Sequence, residues 1–271
     1  MLDQTAEAAL RGQYGGYDWT TIQLGCSGAR VYRLSGPTDL YVKLMPSGDP
    51  DPANQPHREA ECLMWLAEQN VPAPRVVDVG TIDEDDYLVT EALPGRPASY
   101  DWPEHQRMSV VDAVADFAAE LHRLDVASCP FDRRLRVRVP AAQEAAAVGD
   151  VHPSRLPRPY RDWQVGRIVT ELVSLARIAG REEPVVAHGD YCLPNVLICP
   201  ETLRPTGIVD VGRFGVADRY VDVALMTYSL SRPDLNEQFG PGHAERFMYR
   251  YGEIPADEHR LELYRLLDFF A

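Results

Sequence analysis

Between His188 and Asp210 the sequence HGDYCLPNVLICPETLRPTGIVD sets three oxygen-bearing side chains in a fixed order, Asp190, Asn195 and Asp210, the first of them next to a glycine. That set suits phosphoryl transfer assisted by a divalent cation. One carboxylate orients or deprotonates an attacking hydroxyl, while an amide oxygen and a second carboxylate hold magnesium on the phosphates. Any one of these residues alone reads as a polar loop residue capping a turn. The ordered set carries the chemical reading.

The elements that must position this set are legible in outline. Val185-Val186, Val196-Leu197-Ile198 and Gly207-Ile208-Val209 are short β-branched runs bounded by turn residues, which read as strands. The plainest geometry is a loop followed by a hairpin, with the three side chains at its open end. Upstream, TTIQLG, CSGARVYRLSG and DLYVKLM read as three strands, and RVVDVGTID and DYLVTEALPG as two more after the Val71-Pro-Ala-Pro break. Together they predict a five-stranded antiparallel sheet. Gly25-Cys26-Ser27-Gly28 is a small-residue turn that would let backbone N–H groups and the Ser27 hydroxyl approach a phosphate, although a plain hairpin turn has the same composition. Lys43 stands near the end of the third strand, and HREAECLMWLAEQN, with helical periodicity, carries Glu59 and Glu61 on different faces. A strand lysine paired with a helix glutamate aligns the α- and β-phosphates in kinases.

The remainder reads as mainly helical, giving an α+β chain. WPEHQRMSVVDAVADFAAELHRL places Val110, Val114, Phe117, Leu121 and Leu124 on one face, with Asp101 as its expected cap and Glu104 three residues on. An alanine-rich helix is expected up to Val148, another over Thr170–Gly180, and two more in HAERFMYRYG and EHRLELYRLLDFF. Residues 150–162, with three prolines, read as a loop.

The blocks HGDYCLPNVL and GIVDVGRFGVADRYVDVAL resemble the antibiotic phosphotransferases of the protein-kinase-like fold, in particular the aminoglycoside 3'-phosphotransferases, and the likeness runs from GCSGARVY to YRLLDFF. HGD in place of HRD, and no activation segment between Asp210 and Asp222, separate the chain from protein kinases. The resemblance implies a two-lobed fold, with a nucleotide-binding lobe over residues 1–93 and a catalytic and acceptor-binding lobe over 94–271. It implies ATP or GTP and Mg²⁺ as cofactors and an antibiotic hydroxyl as acceptor. Asp190 would orient that hydroxyl, and Asn195 and Asp210 would hold the metal. Lys43, steadied by Glu59 within REAECLMWL, would grip the α- and β-phosphates under Ser27. Thr90 and Ala92 would bond the base through main-chain atoms, with Tyr41 and Val42 beside it. Asp222 would anchor the backbone of the catalytic loop, and His188 and His122 read as ordering residues rather than bases.

Two departures bear on the acceptor. Relatives acting on polycationic aminoglycosides commonly carry an acidic insert where this chain has Arg155, Arg158 and Arg161 against Asp150 and Asp162. The family's ending L-L-D-E-F-F becomes Leu266-Leu267-Asp268-Phe269-Phe270-Ala271, without the glutamate. Several exposed ion pairs worth up to about 1 kcal/mol each are missing, enough to weaken such a ligand about a hundredfold or more. The candidate acceptor contacts are Arg155, Arg158, Arg161, Arg213, Asp268 and Phe270. A less cationic antibiotic (nucleoside or peptide) or a small metabolite is the alternative acceptor. A nucleotide-binding pseudoenzyme is the rival outside this chemistry, and the full polar set argues against it.

Composition sets outer bounds. With 271 residues and 45% hydrophobic content the chain can bury a large core. Acidic residues outnumber basic ones 41 to 27, for a formal charge of −14, which disfavours nucleic acid or an anionic membrane as partner and suits a cationic ligand. The five scattered cysteines lack metal-ligand spacing and read as reduced thiols. No signal-peptide pattern and no long apolar window stand in the sequence, so a cytoplasmic monomer or homodimer is expected.

Overall fold

A computed structural model of the chain describes residues 5–22, 29–48, 52–149, 160–232, 234–252 and 256–270. Two compact units divide it, Met1–Gly95 with Thr206–Arg213, and Arg96–Pro205 with Phe214–Ala271.

The first unit is built on the expected antiparallel sheet. Its strands are β1 (Asp18–Ile22), β2 (Arg30–Ser35), β3 (Leu40–Pro46), β4 (Val76–Ile82) and β5 (Asp85–Glu91), in the order β1-β2-β3-β5-β4. Alternate residues of β2 and β3 (Tyr32 and Leu34; Leu40, Val42 and Leu44) point into one core, as the two-residue period of a strand requires. Each such apolar side chain contributes about 1.5–3 kcal/mol on burial. Helix α1 (Thr5–Gln13) inserts Ala6 and Leu10 into that core, and Tyr32 Oη donates to Glu7 Oε2 at 2.6 Å. Sequence periodicity did not reveal α1. A nine-residue helix is marginal alone and exists by virtue of this packing. Helix α2 (Pro56–Glu68) opens on a proline and buries Glu59 along with Cys62, Leu63 and Leu66.

The returning segment Thr206–Arg213 is fixed tightly within this unit. Thr206 Oγ1 donates to Pro94 O, and the Ile208 N–H to Pro72 O. At Gly212 a Cβ would stand 2.0 Å from Ala53 O, so no other residue fits without backbone movement.

In the second unit, α3 (Glu104–Leu121), α4 (Leu135–Val148), α5 (Val165–Ile178), α6 (Tyr220–Ser231), α7 (Pro241–Tyr251) and α8 (Glu258–Asp268) form the helical mass. Arg246 and Arg250 of α7 make bidentate pairs with Asp112 and Asp116 of α3, matched at helical spacing. Two short sheets flank the segment 188–195. β7 (Pro184–Ala187) runs antiparallel to β10 (Gly215–Asp218), and β6 (Arg96–Pro97) pairs with β8 (Val196–Ile198). Strand β9 (Pro205–Ile208) follows a turn closed by Cys199 N–H to Arg204 O.

Two expectations are corrected. Asp101 does not cap α3: the helix starts at Glu104 with Pro103 as the capping residue, because a residue preceding proline is disfavoured in the helical region. Asp101 instead lies 3.6 Å from Arg107. Helix α5 begins at Val165 rather than Thr170, with Ile168, Leu172 and Leu175 as its buried stripe, and ends at Ile178.

Gly212→Ala is expected to lower stability by about 1–3 kcal/mol through overpacking. Gly12→Ala in α1, where nothing lies within 4 Å of the added carbon, should be neutral or mildly stabilising. Urea denaturation of the two variants provides the comparison.

Candidate active site

In the first unit, three charged side chains converge. Lys43 Nζ lies 2.8 Å from Glu59 Oε2 and 3.0 Å from Asp210 Oδ1. Glu61 is exposed and faces Arg58 at 3.7 Å, so only one of the two α2 glutamates reaches the lysine. Burial alone would lower the Lys43 ammonium, but the charges and bonds of Glu59 and Asp210 outweigh it and hold it well above its ordinary range. The Glu59 carboxyl moves up: burial drives it, Asp210 adds to it, and Lys43 opposes it. Both shifts favour retaining protons in this cluster, so the lysine stays cationic. Val211 donates its N–H to Glu59, which fixes the segment carrying Asp210. Asp210 itself has φ of 59°, a left-handed conformation uncommon for a non-glycine residue and concentrated at functional sites. Its side chain is 54% exposed, open to a ligand.

Lys43 is also the only lysine in the sequence; every other basic residue is arginine. A compact ammonium can serve two carboxylates and a phosphate as a point charge, a task a planar guanidinium fork fits poorly. That count was available from the sequence and singles out Lys43 without any alignment.

In the second unit the loop after β7 is held from behind. Asp222, in the first turn of α6 and fully buried, accepts the His188 N–H at 2.8 Å and the Gly189 N–H at 2.9 Å. His122 of α3 reaches the same carboxylate through Nε2 at 2.9 Å. Burial alone would raise Asp222, but the His122 bond and charge, with the His188 N–H, prevail and hold it below the ordinary carboxylate range. His188 Nδ1 in turn accepts the Asp190 N–H at 3.2 Å. Further along, Tyr191 Oη donates to Val114 O and the Leu193 N–H to Ser229 Oγ. Asn195 Nδ2 donates to both the main-chain oxygen (2.9 Å) and Oδ2 (3.0 Å) of Asp190. The amide hydrogens of Asn195 are thereby spent, and its oxygen is the group it can offer a cation.

The remaining predicted residues fall as follows. Tyr41 and Thr90 are registered opposite each other in β3 and β5, with Val76 of β4 on the other side of Thr90. The Ala92 N–H is committed to Asp39 O at 2.8 Å and is not free to bond a base. Arg213 closes the returning segment of the first unit, and Asp268 ends α8 with Phe270 just beyond. Ser27, Arg155 and Arg158 lie outside the described residues, and Arg161 lies in a 3-10 turn, Tyr160–Asp162. Among the described residues no group of three or more His, Cys, Asp or Glu forms a protein-only metal cage, and no helix is long and apolar enough to cross a membrane. An amide oxygen and a carboxylate still fit Mg²⁺, which takes hard oxygen donors and completes its shell with water and substrate phosphates.

The family model described as Phosphotransferase enzyme family matches residues 18–264. The chain belongs to that family. An aminoglycoside 3'-phosphotransferase of Streptomyces fradiae is 42% identical over 97% of this chain and 99% of its own. A streptomycin 3''-kinase of Streptomyces griseus is 40% identical over 93% and 92%. Among solved structures, an aminoglycoside-3'-phosphotransferase of type VIII superposes with a TM-score of 0.90 at 43% identity, covering 99% of this chain and 98% of that one. An aminoglycoside phosphotransferase of Streptomyces rimosus, solved with ADP and streptomycin, gives a TM-score of 0.82 at 31% identity, covering 100% and 99%. The phosphotransferase fold is thus the two-lobed, kinase-like α+β architecture expected.

Replacing Asp222 by Asn should cost about 3 kcal/mol or more at pH 7, since it exchanges one acceptor oxygen of a buried, hydrogen-bonded carboxylate for an amide donor and disturbs two backbone bonds. The folded carboxyl is lowered below its unfolded value of about 3.9, so its contribution is present above that pH and is lost as pH falls through the folded value. Urea titrations at pH 7 and pH 3 should therefore show the wild-type advantage shrinking in acid.

Proposed function

We propose that this phosphotransferase moves the γ-phosphate of ATP or GTP to a hydroxyl of an aminoglycoside-type antibiotic, with Mg²⁺, and so confers resistance. The observation that carries the acceptor class is the full-length likeness to the 3'-phosphotransferase and the streptomycin kinase, at 42% and 40% identity. Those values are too close to separate a 3'- from a 3''-hydroxyl.

In this reading Lys43, kept charged by Glu59 and Asp210, grips the α- and β-phosphates. Asn195 and Asp210 would hold the magnesium, which supplies charge neutralisation on the phosphates when bound. Asp190 orients the acceptor hydroxyl toward the γ-phosphorus, its carboxylate steadied by the Asn195 amide. Because phosphoryl transfer has a loose transition state, positioning and charge carry most of the acceleration, and Asp190 need not be a strong base. Tyr41, Thr90 and the main chain about Ala92 would lie beside the base, with only the Ala92 carbonyl available from that residue. The net charge of −14 suits a cationic acceptor.

A second reading is favoured by Arg155, Arg158 and Arg161 and by the ending without glutamate: the same chemistry on a less cationic antibiotic or metabolite. Coupled nucleotide-turnover assays against neomycin, kanamycin, streptomycin, viomycin and nucleoside antibiotics separate the two. Turnover with one of the first three, abolished by EDTA, is the expected result. Turnover confined to viomycin or the nucleosides would favour the second reading. Asp190→Ala should reduce turnover by about a thousandfold or more while nucleotide still binds in calorimetry; near-wild-type turnover would contradict the assignment.

A further inference from the structure

Helix α6 meets the Asp190 loop at two places rather than one. Asp222, in its first turn, holds the His188 and Gly189 N–H groups ahead of Asp190. Seven positions on, close to two helical turns and so on the same face, Ser229 Oγ accepts the Leu193 N–H at 3.3 Å. Leu193 opens the 3-10 turn Leu193–Asn195, which carries the candidate metal ligand. Of the main-chain donors in that turn, Pro194 has none and the Asn195 N–H is spent on Cys192 O at 3.0 Å. The Leu193 N–H is therefore the one through which the turn is tied to the rest of the unit. Leu193 is fully buried, so no solvent reaches it to replace a lost partner.

The Ser229 hydroxyl is itself fixed. Asn236, buried in the segment after α6, brings Nδ2 to 2.9 Å from Ser229 O and 3.3 Å from Ser229 Oγ. A carbonyl oxygen only accepts, so the Asn236 amide turns its nitrogen, not its oxygen, to Ser229. A hydroxyl has one hydrogen and two acceptor positions. The Leu193 N–H and the Asn236 amide fill both, and the hydroxyl hydrogen is directed away from Leu193. Beyond Asn195 the chain enters β8, where the Ala98 N–H reaches Val196 O at 2.8 Å. The loop thus has one mount before Asp190 and another after Asn195. Tyr191, through Val114 O, and Ser229 supply support between them, and of the two Ser229 bears on the turn that carries Asn195.

We propose that Ser229, held by Asn236, is a positioning residue for the metal. By fixing the Leu193 N–H it sets where the Asn195 amide oxygen stands, and so how tightly magnesium is held on the nucleotide. This rests on the assignment of Asn195 to the metal given above. Asp222 then serves the half of the loop that carries Asp190, and Ser229 the half that carries Asn195.

Ser229→Ala removes the hydroxyl, and Asn236→Ala removes the group that orients it. Amide hydrogen exchange on the metal-free full chain gives a readout independent of turnover. In Ser229→Ala the Leu193 and Asn195 amides should exchange about 3- to 10-fold faster than in the wild type, while amides in the middle of α3 keep their wild-type rates. Turnover with the fastest acceptor should need about 3- to 10-fold more magnesium for its half-maximal rate, with the acceptor KM at saturating magnesium within about twofold of wild type. Asn236→Ala should move both readouts in the same direction, and it carries the test if Ser229→Ala does not fold. An unchanged magnesium requirement overturns the proposal, whether or not the two amides exchange faster. So does a raised requirement that comes with wild-type exchange at Leu193, or with equally faster exchange throughout α3. Two controls separate the levels. If Asp190→Ala retains turnover, or EDTA leaves wild-type turnover intact, the functional reading fails and this proposal with it. If both controls behave as expected and Ser229→Ala matches the wild type, this proposal fails alone.

Discussion

The constraint on which the first unit's chemistry depends is the burial of one ammonium between two carboxylates. Lys43 cannot be left unpaired in its setting, and Glu59 can be buried at 7% exposure only because Lys43 and the Val211 N–H satisfy it. That requirement dictates where α2 must lie against β3. It also draws in the returning segment, since Asp210 completes the cluster from the far end of the sequence. The close approach of Gly212 to Ala53 and the left-handed backbone at Asp210 are two local costs of bringing that segment home. Breaking the pair would leave an uncompensated buried charge, so the contacts that hold the fold of this unit are the same ones that fix the proposed phosphate-binding group.

The second unit solves a different problem with the same device. The loop that carries Asp190 has few backbone partners of its own, and the buried Asp222 carboxylate supplies them. The Asn195 amide then bridges the main chain and the side chain of Asp190. Rigidity of this kind matters where acceleration comes from holding reactants rather than from strong acid or base groups.

Much of this was legible in the residues. The order Asp190, Asn195, Asp210 pointed to phosphoryl transfer, the chemistry of the family to which the chain belongs, and β-branched alternation gave all five strands of the sheet, because half-buried strands keep a two-residue period. What escaped had physical reasons. Helix α1, only nine residues long, is too short to announce itself without the sheet it packs on. The start of α3 was misread because Asp101 makes a plausible capping box while Pro103 decides the boundary. Local patterning cannot report that β7 pairs with β10, nor that Thr206–Arg213 belongs with the first unit, since both depend on contacts distant in sequence. The phenol of Tyr251 and the ring of His122 are 129 positions apart, and nothing in either neighbourhood signals the bond between them.

A single lysine makes the central claim open to direct observation. In protein labelled with ¹⁵N-lysine, the Lys43 ammonium is the only side-chain signal. Titration with magnesium and ATP should shift that signal, saturating at the nucleotide concentration that half-saturates turnover. A signal that stays in place while nucleotide is bound and turned over would contradict the assignment of Lys43 as the group that grips the phosphates.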